Sequence, residues 1–435
     1  MKKFLLTLSL FFTVILLLSC QNQEDHSSQK VTVTFSLTAN QDPLVITHVK
    51  GEILLEPNTP TLDGYSFMGW YLSLNDEDPY LFNKTVAEDL ILYAKWKEDV
   101  SMVINGTKTF SAEHLWEHRN LETTENLQLS ENYLMIDNAT LNGVYESKPI
   151  SIHTFEQLVL SWNIKDLDKA TLTFRVAIGK GDEWSREFVM GSWKKNYPMS
   201  AATQEDTFAK VHLDTLFNKD KSHDEIILKI LIRPNQDDTF KIKNLSVTTK
   251  RNTNSLLYNE NVLIEKELAV PPVNQLSVPQ IGNLICSPTS MTMVMNYYGY
   301  QYRPENVASW VKDYSANIYG NWTFTASFAG HEHLFSRVEY MDDMNTIVEY
   351  IKNDIPVVLS ITTQTKEDLP GSLSGYPAGH LIVLIGFTYQ DGIWYGIIND
   401  PAFYRDEDVR QLYPMDLLLL AFKGYTYIVS EQQLS

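Results

Sequence analysis

The stretch GNLICSPTSMTMVMNYYGY, residues 282–300, decides how the C-terminal part of this chain folds. Apolar residues fall at positions i, i+3, i+4 and i+7 from Met291, which predicts an amphipathic helix. Pro288 suits the first turn, where its missing N–H costs nothing, and Gly299 suits the position just past the helix. The pattern therefore places Cys286 at or just before the helix N-terminus.

Cys286 admits two interpretations. Unpaired N–H groups and the positive end of the helix dipole favour thiolate over thiol, and the thiolate is the nucleophilic form. A single cysteine is also often buried and inert. The reactive interpretation requires that a histidine and an acid reach the sulfur.

A candidate histidine and a candidate acid lie at the two ends of HLIVLIGFTYQDGIWYGIIND, residues 380–400. This stretch predicts a β-hairpin with a turn at 390–392. If the hairpin closes near residue 390, His380 and Asp400 face each other within reach of a hydrogen bond. A carboxylate there fixes the tautomer of the histidine and supports the imidazolium that forms when the ring takes a thiol proton. The alternative is a satisfied histidine at a strand start and an ordinary turn aspartate.

The chain from residue 268 to its end resembles the papain-fold cysteine peptidases of the bacteriocin-leader-peptidase-like family. The matching pieces occur in the family's order: VPPVNQ (270–275), CSPTSMTMVMNYYG (286–299), IPVVLSI (355–361), GHLIVLIGF (379–387) and NDP (399–401). The resemblance implies an α+β papain-like domain over residues 268–435.

The same resemblance assigns roles. It implies that Cys286 is the nucleophile, that His380 is the general base and then the acid, and that Asp400 orients the histidine. It also implies a glutamine upstream of the cysteine as an oxyanion-hole donor. Gln275 matches the Val-Pro…Gln pattern, whereas Gln280 has the papain-like spacing of six residues, and both remain candidates.

Two further positions are candidates for the substrate cleft. The stretch 315–330 is aromatic and loop-like, and in the resembled family it borders the cleft. Trp322 is therefore a candidate wall residue, with core packing as the alternative. Residues 372–379 (SLSGYPAG) are flexible in composition and precede the histidine, which predicts a loop over the cleft that ends at Gly379.

The N-terminus has the pattern of a targeting segment. Residues 1–19 combine a basic pair with an apolar core and predict a signal peptide. The ending LLSC resembles a bacterial lipoprotein box, which implies cleavage before Cys20 and a lipid on its sulfur. The protein is then exported and held by this lipid to the outer face of a bacterial membrane. Plain secretion or an uncleaved anchor are the alternatives. Residues 20–30 are polar and aperiodic, and predict a flexible tether.

Residues 31–97 predict a small β-rich module. GYSFMGWY (64–71) and DLILYAKW (89–96) resemble the internalin-type B repeat, which implies a compact β-grasp-like unit of a bacterial surface protein. Such a unit serves as a spacer or as a weak protein-binding module. We expect its aromatic residues to form its core, because so small a domain can bury little else.

Residues 98–250 alternate in short segments with polar turns, which predicts a β-sandwich. Jelly-roll sandwiches often bind carbohydrate, so a glycan or a surface protein is a candidate partner of the β modules. Trp162 is expected in the core, whereas Trp184 and Trp193 could serve either the core or a sugar platform. Residues 251–267 predict a linker.

Composition limits the partners and the chemistry. The 435 residues carry a formal net charge of −19 at pH 7, which argues against nucleic acid as a partner. No HExxH, P-loop, GxSxG or Rossmann glycine pattern occurs. His331 and His333 have no third ligand placed with them, so no metal or other cofactor is predicted.

The sequence thus predicts a surface lipoprotein that hydrolyses peptide or amide bonds of a peptide or protein substrate through an acyl-enzyme. One alternative is a transglutaminase-like or NlpC-type enzyme, which also has the cysteine before the histidine, and transglutaminases share the aspartate as well. Another is a non-catalytic surface protein that binds peptide or glycan through its β modules. A peptidase fused to a transporter is disfavoured, since no multi-span hydrophobic segments occur.

Overall fold

The computed structural model describes residues 29–38, 42–57, 60, 65–76, 78–98, 106–116, 121–235, 239–251 and 258–432. The chain divides into two compact units, one ending at Glu98 and the other beginning at Asp99. Among the described residues, no helix is both long and apolar enough to cross a membrane. Cys20 and the predicted signal peptide lie outside these residues.

The first unit is a four-stranded mixed sheet. Its strands are β1 (Lys30–Ser36), β2 (Leu44–Val49), β3 (Tyr65–Tyr71) and β4 (Leu90–Glu98). The order is β2-β1-β4-β3, with β1 and β4 parallel. Trp70 is buried, and its ring packs against Phe35 at 4.8 Å and against Phe67 at 5.3 Å between centroids. These aromatic residues therefore form the core of the unit. No helix lies in its described part, so the β-grasp-like assignment stays a prediction.

The second unit begins with two antiparallel sheets, here called the two-sheet region (residues 106–251). Its elements are β5 (Thr107–Ser111), α1 (Ala112–Trp116), β6 (Leu121–Glu125), β7 (Leu127–Ser130), β8 (Tyr133–Ile136), β9 (Gly143–Ser147), β10 (Ile150–Ser151), β11 (Gln157–Lys165), β12 (Thr171–Lys180), β13 (Glu183–Trp184), β14 (Phe188–Trp193), β15 (Gln204–Glu205), β16 (Ala209–His212), β17 (Thr215–Asn218), β18 (Glu225–Arg233) and β19 (Lys241–Lys250). One sheet has the order β13-β12-β18-β9-β6, with β10 on β18 and β14 on β12. The other has the order β15-β16-β17-β11-β19-β8-β7, with β5 on β19.

The two sheets face each other across an aromatic core. Trp162 of β11 stacks on Phe174 of β12, with ring centroids 3.7 Å apart. Trp162 and Trp193 are both fully buried. Trp193 therefore belongs to the core and is no sugar platform. Trp184 is half-buried and donates its indole N–H to the carbonyl of Gly181.

The remaining residues, 258–432, form the C-terminal region, in which helices cover a sheet. The elements are β20 (Lys266–Glu267), α2 (Cys286–Tyr297), α3 (Pro304–Val311), α4 (Trp322–His331), β21 (Phe335–Tyr340), α5 (Met344–Lys352), β22 (Val357–Thr363), β23 (Tyr376–Gln390), β24 (Ile393–Asn399), β25 (Arg410–Pro414), α6 (Met415–Ala421) and β26 (Phe422–Ser430). The sheet has the order β21-β26-β22-β23-β24-β25, and β20 pairs with β23.

Helix α2 begins at Cys286, and Gly299 follows its C-cap with a positive φ of 90°, as the sequence predicts. The burial of the helix differs from the expected single apolar stripe. Every residue from Ser287 to Met295 is buried, including four that carry hydroxyl groups. The helix is therefore enclosed on all sides, which is typical of a helix in the centre of a large core.

The predicted loop over 315–330 is wrong, because helix α4 occupies most of it. Two caps fix its start. The side chain of Asn321 accepts the N–H of Phe324 at 3.3 Å, and Asp214 of the two-sheet region accepts the N–H of Trp322. Eight consecutive residues of α4 are buried, so the helix carries no amphipathic pattern that the sequence could reveal.

Side chains of the two-sheet region satisfy the edge of the C-terminal sheet. Strand β21 lies at one edge of this sheet. Asn163 donates to the carbonyl of Ser336 at 2.7 Å and accepts its N–H at 3.1 Å, which imitates a strand partner. Ser161 accepts the N–H of Val338, whose carbonyl accepts the hydroxyl of Thr248. Since an open edge would leave these groups unpaired, the contact completes the C-terminal sheet.

Helix α4 also packs against the two-sheet region next to this contact. The hydroxyl of Thr323 donates to the carbonyl of Leu160 at 2.7 Å, and the ring of Phe324 lies 5.8 Å from that of Trp193. A Cβ on Gly330 would come within 2.4 Å of the amide nitrogen of Asn163. One continuous hydrophobic core therefore runs through both regions.

We expect Asn163→Ala to weaken both regions together. The substitution leaves the buried N–H and carbonyl of Ser336 unpaired, which costs about 3 kcal/mol of unfolding free energy. Hydrogen exchange in urea, followed by mass spectrometry, should show peptides from β12 and from β22 losing protection at the same lowered midpoint. The exposed Asn138→Ala is the control, with an expected cost below about 1 kcal/mol. A lowered midpoint in only one region would contradict the shared core.

Candidate active site

Cys286 is the first residue of α2 and is partly exposed. Among the described residues no side chain caps this helix end, and Cys286 lies at the positive end of the helix dipole. The next residue anchors the helix. The hydroxyl of Ser287 lies 3.1 Å from that of Thr325 in α4 and 2.9 Å from that of Tyr427 in β26. Ser287 thus ties the start of α2, next to Cys286, to two other elements.

The hairpin β23–β24 forms with a register that differs from the expected one. Its turn is a two-residue loop at Asp391 and Gly392, both with positive φ, so the strands close further along the chain. The extra residue Ile385 forms a bulge. Asn399 pairs with Val383, and His380 therefore does not stand directly opposite Asp400 in the ladder.

The two side chains nevertheless meet. Asp400 lies just past the end of β24, diagonal to His380, and its Oδ1 is 2.7 Å from Nε2 of the imidazole. His380 also forms a hydrogen bond with Cys286. Since Nε2 contacts the carboxylate, Nδ1 is the nitrogen left for the sulfur. The structure therefore brings Cys286, His380 and Asp400 into one hydrogen-bonded chain.

The pKa values of these three residues favour an ion pair between Cys286 and His380. Burial acts to raise the pKa of the Cys286 thiol, but the hydrogen bond and the positive charge of His380 outweigh it, and the pKa is lowered. Burial acts to lower the pKa of His380, but the charge of Asp400 and its hydrogen bond raise it to about 10. The pKa of Asp400 is lowered, since His380 and its other donors outweigh the effect of burial. These shifts favour the ion pair of thiolate and imidazolium over the neutral thiol and imidazole.

Asp400 is fully buried and accepts four hydrogen bonds. Oδ1 accepts the imidazole and the N–H of Ala402 at 3.0 Å. Oδ2 accepts the hydroxyl groups of Tyr376 at 3.0 Å and Tyr413 at 2.6 Å. Neither tyrosine was predicted from the sequence. Neither has a spacing that signals the contact, because β23 and β25 reach Asp400 only through the folded sheet.

The two glutamine candidates have different environments. Gln275 is buried, donates its backbone N–H to the carbonyl of Pro401 at 2.8 Å, and so lies next to the segment of Asp400. Its side-chain Oε1 finds no partner in the described part of the chain. Gln280 is exposed, has a positive φ of 64°, and lines a cavity of about 610 Å³ together with Arg303.

The two cleft candidates, Trp322 and Gly379, adjoin different residues of the site. The ring of Trp322 is half-buried and packs 5.2 Å from that of Tyr427, which contacts Ser287. Gly379 precedes His380 with a φ of 93°, a conformation that favours glycine. Residues 376–379 belong to strand β23, so the predicted loop over the cleft is shorter than expected. No cluster of metal ligands lies among the described residues.

Comparison with known proteins identifies the C-terminal region. Residues 267–433 match the model of the Peptidase_C39 like family. This segment is a C39-like peptidase domain. The match confirms the peptidase family expected from the sequence.

Residues 32–95 match the Listeria-Bacteroides repeat domain. The internalin-type B repeat was therefore the wrong repeat family for the first module.

Individual proteins resemble only parts of the chain. A "Putative membrane protein" of Evansella cellulosilytica is 35% identical over 79 residues, which span 17% of this chain and 12% of that protein. A putative C39-like peptidase from Bacillus anthracis has 16% identity and a TM-score of 0.30, and covers 39% of this chain and all of its own. A double glycine motif protease from an AMS/PCAT transporter, in complex with the leader peptide, has 19% identity and a TM-score of 0.26, and covers 39% of this chain and 97% of its own.

We expect iodoacetamide to react with Cys286 at pH 7 at least about tenfold faster than it reacts with the thiol of glutathione. The reason is that a lowered pKa makes the Cys286 thiolate available. Between pH 8 and pH 6 the rate for Cys286 should fall only a few-fold, whereas that for glutathione should fall about a hundredfold. Mass spectrometry of the labelled peptide measures both. His380→Ala should restore the pH dependence of an ordinary thiol, and an ordinary profile in the unsubstituted protein would contradict the ion pair.

Proposed function

We propose that this protein is an exported, lipid-anchored cysteine peptidase that hydrolyses peptide bonds of a peptide or protein substrate. The observation that carries the proposal is the contact chain from the partly exposed Cys286 through the buried His380 to the buried Asp400. A nucleophile at a helix N-terminus, a base within hydrogen-bond reach and a third group that orients the base are the parts that acyl transfer requires.

The first half of the reaction forms an acyl-enzyme. The Cys286 thiolate attacks the carbonyl carbon of the scissile bond, and the carbonyl electrons move to oxygen. The His380 imidazolium then donates its proton to the leaving amine as the carbon–nitrogen bond breaks. The products are a free amine and a thioester on Cys286, with a neutral imidazole held by Asp400.

The second half returns the enzyme to its initial state. Neutral His380 takes a proton from water, and the resulting hydroxide attacks the thioester carbonyl. The carbon–sulfur bond breaks, the carboxylic acid leaves, and the thiolate and imidazolium are restored. Asp400 stays ionised throughout and stabilises the charged imidazolium.

The oxyanion that forms in both halves needs donors. The backbone N–H of Cys286 at the free end of α2 is one. We assign the second to the side-chain amide of Gln275. Its burial and its contact with the segment of Asp400 support this choice over the exposed Gln280.

The membrane anchor is a separate part of the proposal. The LLSC ending supports processing of the chain before Cys20 and attachment of lipid to its sulfur. The tether of residues 20–30 then links the anchor to the first module, which acts as a spacer. The peptidase is thereby held near the outer face of the membrane.

Incubation of the full chain with a proteome-derived peptide library should release new peptide termini, detected by mass spectrometry. Cys286→Ala removes the nucleophile and should abolish cleavage, by about a millionfold in rate. Cys286→Ser is the matched variant and should also be inactive, because a hydroxyl is a far weaker nucleophile without a lowered pKa. Incorporation of an added primary amine in place of water would instead support the transglutaminase-like alternative. Cleavage unchanged in Cys286→Ala would overturn the proposal.

Gln275→Ala and Gln280→Ala separate the two oxyanion candidates. Loss of one oxyanion donor lowers kcat by about a hundredfold to a thousandfold. We expect this loss for Gln275→Ala and a change of less than about threefold for Gln280→Ala, since the latter side chain is exposed on another cavity. The alkylation rate of Cys286 is the control and should be preserved in both. The reverse ranking of the two variants would reassign the donor.

A further inference from the structure

Two buried tyrosines enclose the far side of the carboxylate that contacts His380. Tyr413 is fully buried and Tyr376 is 9% exposed. Both donate their hydroxyl groups to the same oxygen, Oδ2 of Asp400. They come from different strands, β23 and β25, which flank the segment that carries the aspartate.

The four donors divide between the two oxygens. Oδ1 accepts hydrogen bonds from the imidazole and from one backbone N–H, and Oδ2 accepts them from the two phenols. A carboxylate offers about four lone-pair positions, so this set saturates Asp400. Rotation of the carboxylate would break two phenol contacts at once. The tyrosines therefore fix which oxygen is presented to His380.

Tyr376 makes a second contact that Tyr413 does not. Its ring lies parallel to the imidazole of His380, with centroids 4.1 Å apart and an interplanar angle of 20°. The face of an aromatic ring attracts a cation, so this stack favours the imidazolium and holds its plane. Tyr376 thus contacts both the base and the group that orients it.

Both phenols remain donors across the working range of a peptidase. Burial raises the pKa of each, and the charge of Asp400 raises it further. A phenol that stays protonated stabilises an ionised carboxylate and not a protonated one. The contacts thus favour the ionised form of Asp400.

We propose that Tyr376 and Tyr413 are positioning residues of the peptidase reaction, which keep Asp400 ionised and hold its Oδ1 towards His380. Tyr376 also fixes the plane of the imidazole. This inference rests on the proposed function, because it assigns what maintains the acid, the base and hence the thiolate.

The test uses Tyr413→Phe and Tyr376→Phe in the full chain, with Tyr145→Phe as the matched control. Tyr145 is a fully buried tyrosine of the two-sheet region, whose hydroxyl donates to the carbonyl of Leu115 at 3.1 Å. The first readout is the rate of iodoacetamide labelling of Cys286 from pH 4 to pH 9. The second is the imidazole N–H proton of His380 in the NMR spectrum.

Each site variant removes one donor from Asp400, so the pKa of the carboxylate rises and the acid limb of the labelling profile should move up by about one pH unit. At pH 4 this is a loss of up to about fivefold, with a change of less than about threefold at pH 8. The imidazole proton should move downfield, because a carboxylate with one donor fewer accepts more strongly from His380. Tyr145→Phe should change neither readout.

The stack is tested by Tyr376→Leu beside Tyr376→Phe. The phenylalanine keeps the ring over His380, whereas leucine removes it, so only leucine should lower the labelling rate at every pH. If Tyr413→Phe does not fold, Tyr376→Phe carries the same test of the acid limb, since its ring stays in place.

The outcomes separate this inference from the proposed function. In one outcome Cys286 is labelled fast, and both the acid limb of its labelling profile and the imidazole proton of His380 are unchanged in the two phenylalanine variants. This outcome overturns the role of the tyrosines and leaves the proposed peptidase function intact. An equal loss at all pH values in the phenylalanine variants, with an unmoved imidazole proton, means that the tyrosines act through packing alone, and it also overturns the inference. Ordinary reactivity of Cys286 in the unsubstituted protein overturns both.

Discussion

The burial of the Asp400 carboxylate is the constraint on which the rest of the site depends. An ionised group without exposure to water is tolerated only when it is paired and saturated with hydrogen bonds. Here the four donors come from β23, from the segment after β24 and from β25. Three consecutive neighbours in the sheet must therefore stand in the right register before the charge can be buried. The same requirement places His380 where Cys286 can reach it.

The sequence predicted the local parts of this arrangement. Pro288 and Gly299 mark the two ends of helix α2, and such marks act within one turn of a helix. The pairing of His380 with Asp400 was predicted from a register that the structure does not have. The bulge at Ile385 and the two-residue turn shift the ladder, and the contact survives because Asp400 lies diagonal to His380, beyond the last ladder pair.

The missed parts are non-local. Tyr413 reaches Asp400 through β25, and nothing in the spacing of the two residues signals this. Helix α4 was missed for a related reason. Its N-terminus is capped in part by Asp214, more than a hundred residues earlier in the chain, and its burial on all sides erases helical periodicity. A pattern read along one segment reports only the environment that the segment itself determines. Both misses concern residues whose environment is determined elsewhere in the chain.

Asp214 shows what the two-sheet region contributes to the site. Its carboxylate is buried, and burial raises its pKa to about 6, although the N–H groups of Trp322 and Thr323 oppose the rise. Near neutral pH its charge therefore complements the positive end of α4. The next turn of α4 holds Thr325 against Ser287, the residue beside Cys286. Helix α4 thus has the two-sheet region at its start and the nucleophile's helix on its side. The two-sheet region is for this reason better understood as a structural support of the C39-like domain than as a separable binding module.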